Sequence, residues 1–120
     1  MIMDIYVIKQ RTIMDFPTDE TGQVLAEMQQ AGIDLTLTHT VVFFQLFEQQ
    51  DKAQAMADFI TENMDGVTVS VHPDETPNVW DVDCTIQMIP SYDAVIKHEV
   101  DFEQLANKFS GYNDGWGIDA

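Results

Sequence analysis

Thr38–Phe47, THTVVFFQLF, is the stretch on which the fold turns. It holds two Val, three Phe and one Leu in ten residues, with no Gly, no Pro and no Asp, Glu, Lys or Arg. β-Branched and aromatic residues suit a pleated, buried surface. Apolar spacing of helical period is absent, so the run reads as one long strand. Both side-chain parities are apolar: Val41, Phe43 and Phe47 on one, Val42, Phe44 and Leu46 on the other. A strand of this kind belongs in the middle of a sheet, with cover on each face.

Working outward from it, residues 49–63 form the clearest helix. Ala53, Met56, Ala57, Ile60 and Met64 recur at helical spacing, and Gly66 supplies a stop. Val67, Val69 and Val71 then alternate with Thr68, Ser70 and His72, a half-buried strand. HPDETPN at 72–78 is a polar turn. Trp80, Val82, Cys84, Ile86 and Met88 alternate with Asp81, Asp83, Thr85 and Gln87 in a second such strand. The two strands predict an antiparallel hairpin. Pro90 ends it and Ser91 caps a helix to Ser110, with Tyr92, Val95, Phe102, Leu105, Ala106 and Phe109 inward and Gly111 as the stop. Residues 112–118 return as a short edge strand. Upstream, Thr18 or Asp19 caps a helix carrying Val24, Leu25 and Met28, and Gly32 closes it. Residues 2–8, IMDIYVI, fit either a strand or the start of a helix.

From the central strand on, the order is β-α-β-β-α-β, the ferredoxin-like split pattern. The fold expectation is therefore α+β: a four-stranded antiparallel sheet with the helices at 49–63 and 91–110 on one face, plus an N-terminal helical extension. The other face shows Thr68, Ser70, Asp81, Asp83, Thr85, Gln87 and one apolar parity of the central strand, for which the N-terminal segment is the candidate cover. With 120 residues the chain has room for one domain, assigned to 18–120, behind an extension at 1–17.

The formal charge is −16, from 5 basic and 21 acidic residues spread along the whole chain. That balance opposes binding to nucleic-acid phosphates, which needs Lys and Arg, and opposes an anionic membrane. It suits a basic protein partner, or solubility alone. One cysteine, Cys84, makes no internal disulfide and reads as a small buried hydrophobe. The N-terminus has no basic n-region and no run reaches transmembrane length, so a cytoplasmic protein is expected.

LAEMQQAGIDL at 25–35 running into THTVVFF, then LANKF at 105–109 followed by YNDGWG at 112–117, resembles the RraB family, regulators of ribonuclease E activity. The resemblance spans roughly Val24 to Ile118. The closing pair is its most specific part. Relatives tend to have Tyr-Asp-Gly-Trp-Gly, so one residue is extra here, and they often run on into an acidic tail. The resemblance implies a bacterial, non-catalytic ferredoxin-like protein. It would bind the endonuclease, RNase E or another basic degradosome-type protein, and inhibit RNA cleavage. No cofactor, direct nucleic-acid contact or membrane contact is implied, and the state is monomeric or weakly oligomeric. With the charge, it places the partner contact on the acid-dense helix at 91–110, at Asp93, Glu99, Asp101 and Glu103, joined by Asp114 and Trp116.

Two other readings stand beside it. One is an interaction module of the same fold with another partner. The other is a small metal-binding enzyme using Asp81 and Asp83, which share a strand face about 7 Å apart and can hold a hard cation or act as an acid–base pair. No nucleophile–base pattern supports the enzyme. His39, His72 and His98 fall on three elements with no metal-ligand spacing, and the glycines at 111, 115 and 117 follow a helix instead of opening one. Trp116 has two readings, core anchor or exposed hot spot.

Overall fold

The computed structural model describes residues 5–6 and 19–119. In chain order the elements are β1 (Ile5–Tyr6), α1 (Glu20–Gln30), β2 (His39–Phe47), α2 (Gln50–Asn63), β3 (Val67–Pro73), β4 (Trp80–Met88), α3 (Tyr92–Lys108) and β5 (Tyr112–Asp119). The strands make one sheet in the order β1-β5-β2-β4-β3, every neighbouring pair antiparallel. The expected hairpin is β3–β4. The expected α+β fold holds from β2 onward.

Two expectations are corrected. β5 is not an edge strand, because the two-residue β1 pairs on its outer side, Ile5 with Asp119 and Tyr6 with Ile118. The helix before the glycine at 111 is not stopped by that glycine. Ser110 takes the left-handed backbone, at φ 71. Gly111 is needed for room instead, since a Cβ there would overlap the Phe47 ring. Apart from Ile5–Tyr6, the extension expected at 1–17 lies outside the described residues.

α1 and α3 start where the sequence supplies a side-chain oxygen, while α2 begins after Gln49 with no side-chain cap. Asp19 accepts from Gly22 N at 2.8 Å and Ser91 from Ala94 N at 3.2 Å, satisfying amides that have no partner in the first turn. α1 closes at Gly32 (φ 95) and the chain after α2 turns at Gly66 (φ 79), a conformation that favours glycine.

The two parities of β2 part company. Val41, Phe43 and Phe47 enter the core with Val82 and Cys84 of β4, Ile118 of β5, Met56 and Ile60 of α2, and Val95 and Phe102 of α3. Phe43 and Phe102 meet ring to ring, 5.4 Å between centroids. Val24, Leu25 and Met28 bring α1 into the same cluster. Val42, Phe44 and Leu46 lie outside it, on the opposite face. On that face Phe44 is aligned with Asp83 of β4 and Gly115 of β5, and Leu46 with Asp81 and Tyr112.

The YNDGWG segment carries a β-bulge. Phe44 pairs with Gly115 and Gln45 with Asn113, so Asp114 has no opposite residue and Gly115 turns to φ 104.

Candidate functional site

The residues expected to bind a partner do not form one patch. On α3, Asp93 and Asp101 are exposed, two turns apart on the outer side, and Lys97 between them donates to Asp101 at 2.7 Å. Glu103 is exposed on another side. Glu99 is half-buried between elements: Thr21 Oγ1 of α1 donates to it at 3.2 Å and Asn113 Nδ2 of β5 at 3.3 Å. Burial raises its pKa, against those two hydrogen bonds. Glu99 therefore joins α1, α3 and β5. Asp114 is half-buried at the bulge. Trp116 is 5% exposed and packs in the core opposite Phe43.

A different constellation appears on the sheet face away from the core. His72 sits opposite Asp81 in the β3–β4 register. Its Nε2 lies 2.9 Å from Asp83 Oδ2 and its Nδ1 3.6 Å from Asp81 Oδ2. The bond to Asp83 holds the His72 pKa above its ordinary value. Asp81 is pushed up to about 6, first by burial and then by the like charge of Asp74. Sequence reading saw the two aspartates on one face but gave them no basic neighbour. The signal was present in parity, since His72 continues the Thr68–Ser70 series, but the register that sets it beside Asp81 is fixed by the turn, where Asp74 N donates to Val79 O at 2.8 Å.

The other chemical candidates have structural places. Cys84 is fully buried, and burial pushes its thiol up to about 12, away from the nucleophilic thiolate form. His98 lies against Phe43 and Phe102, and burial lowers its pKa. His39 contacts the Asp34 carbonyl at 2.6 Å. Gln45, the polar residue inside the apolar run, is fully buried, and its amide has no hydrogen-bond partner among the described residues. Among those residues no group of three or more His, Cys, Asp or Glu is arranged to hold a metal, and no helix is long and apolar enough to cross a membrane.

The profile of RraB, Regulator of ribonuclease activity B, matches residues 18–118. No curated protein sequence matches.

Proposed function

The chain belongs to the RraB family, the regulators of ribonuclease activity B, and on that premise we propose that it binds RNase E in the cytoplasm and inhibits it without touching RNA. The observation that carries this reading is the charge of −16 with five basic residues in the whole chain. A protein so acidic is repelled by phosphate backbones and attracted to basic protein segments. The exposed acids Asp93, Asp101 and Glu103 of α3 contribute to that attraction, and with it to the rate of encounter.

The test is inhibition of RNase E on a single-stranded RNA, with binding titrated in parallel. Exposed charges are screened beyond a Debye length, about 10 Å at 0.1 M salt. Affinity should fall roughly tenfold between about 50 mM and about 500 mM salt. Replacing one exposed acid should change little, since exposed pairs are worth about 0–1 kcal/mol. Replacing Asp93, Asp101 and Glu103 together by their amides should slow association. Salt-independent affinity, or direct binding to the RNA, overturns the reading.

A further inference from the structure

β3 is the last strand of the sheet, and among the described residues no strand pairs on its outer side. The groups left free there follow from the register. Pro73 faces Trp80, so Asp74 faces Val79, and Asp74 N donates to Val79 O at 2.8 Å. In an antiparallel ladder, opposed pairs alternate between those that exchange main-chain hydrogen bonds and those that do not. His72, Ser70 and Thr68 therefore bond to β4, while Val67, Val69 and Val71 turn their amides and carbonyls outward. Pro73 agrees with this phase. It has no N–H, and it stands in the outward series, where a strand tolerates proline. Thr68, Ser70 and His72 are exposed and the three valines are half-buried.

Open edges are normally guarded by shortness, charge, proline or a bulge. The opposite edge of the sheet is guarded in the first way, since β1 has two residues. β3 runs for seven residues and pairs with β4 without a register shift. It has no Asp, Glu, Lys or Arg, and its proline stands at the last position. Its surroundings carry charge of one sign. Residues 53–96, which hold most of α2 and all of β3 and β4, contain eight Asp or Glu and no Lys or Arg. α2 packs over β3 and shows Asp58 and Glu62 to solvent, and Asp65 and Glu75 are exposed beyond the two ends of the strand. A second copy of this chain brought edge to edge would set these acids against their own kind. An extended segment bearing Lys or Arg meets the opposite condition. Its backbone completes the free row, and its charges meet the acids.

We propose that the outer edge of β3 takes up an extended, cationic segment of the protein partner as a further strand, bonded to the main chain of Val67, Val69 and Val71. The proposal rests on the reading above and gives RNase E its place of attachment. From Val67 to Val71 the free row is about 17 Å long, enough for a segment of about five residues. The acids speed encounter, and the main-chain bonds set the residence time.

Two measurements test it. The first is amide hydrogen exchange by NMR on the wild-type chain, with an alternating Lys-Val peptide and an alternating Glu-Val peptide of equal length as probes. In the free chain the amides of Val67, Val69 and Val71 should exchange roughly 100-fold faster than those of Thr68, Ser70 and His72, which face β4. The Lys-Val peptide should slow the three valine amides roughly tenfold, and the Glu-Val peptide should leave them unchanged. Valine amides already protected in the free chain overturn the proposal, because the edge is then covered. Protection that grows with the concentration of the chain alone assigns the edge to a second copy and overturns it too. The second measurement titrates RNase E and the Lys-Val peptide against wild type, Val69→Pro and Val69→Ile. Proline removes an outward N–H that β4 does not use, and isoleucine keeps it. Val69→Pro should weaken binding of both probes roughly tenfold, and Val69→Ile should not. Where Val69→Pro fails to fold, the exchange pattern of the wild type still decides. If Val69→Pro inhibits RNase E as well as wild type does, the edge fails and the regulatory reading stands. If the Lys-Val peptide pairs with the edge but RNase E does not bind, the edge stands and the choice of partner fails.

Discussion

At the scale of the residue, Gly111 shows how narrow the tolerances are. Its place under the Phe47 ring leaves no room for a methyl group. Gly111→Ala should lower stability by about 1–3 kcal/mol, the range for forcing atoms into a packed core. Phe47→Leu in the same chain should recover part of that loss, measured by urea unfolding of the single and double variants. Asp81 gives the second residue-scale prediction. Its folded pKa of about 6 stands above the 3.8 of a free aspartate, so the folded chain holds the proton more tightly than the unfolded one. The stabilisation from protonation is complete below about pH 4 and is lost as pH rises through about 6. His72, also raised, runs the same way: its contribution is present below 6.5 and lost above its raised value. At neutral pH the ionised Asp81, 17% exposed beside Asp74, is a burden on the fold. Asp81→Asn should raise stability by about 1 kcal/mol near pH 8, after allowing for solvent screening, and leave it unchanged near pH 4. A larger gain at low pH would contradict this account.

At the scale of the element, α1 depends on one side chain for two purposes. Asp19 caps the helix through Gly22 and also accepts from the Tyr92 hydroxyl at the start of α3. Asp19→Ala should cost about 1–2 kcal/mol, more than Ser91→Ala, whose oxygen serves only the α3 cap among the described contacts. Unfolding of the two variants under the same conditions checks the order. Helices and hairpin strands were legible in the sequence because their periods of 3.6 and 2 are imposed by burial on one side. Trp80–Met88 matches its alternating run from end to end. Features set by pairing were not legible. Nothing in IMDIYVI marks Ile5–Tyr6 as the partner of β5, and nothing in SGYN says that Ser110, and not Gly111, takes the left-handed turn. The acids of α3 were legible as a charge pattern, but the tie of Glu99 to Thr21 and Asn113 arises from elements 78 and 14 residues away.

At the scale of the whole molecule, the charge of −16 sets two opposing demands. Such a charge repels like-charged molecules and attracts cations, and it also strains the folded state by self-repulsion. Added salt should therefore raise the Tm while, on the proposed function, it weakens binding to RNase E. Screening shortens the reach of each charge to about 8 Å at physiological ionic strength. Calorimetry from low to high sodium chloride checks the first half, and a falling Tm would mean that local ion pairs outweigh the repulsion.

The sheet order has a consequence for synthesis. β2 is flanked by β4 and β5, the last two strands made. On the ribosome its Val, Phe and Leu side chains emerge some 70 residues before Asp119 arrives to complete the ladder with Thr40. At roughly 5–20 residues per second that interval is about 4–14 s. For those seconds the most apolar segment of the protein is a bare edge, open to pairing with any nascent chain nearby. A message cut within the β5 codons would leave that edge permanently uncovered, and its product would go to inclusion bodies or the chaperones.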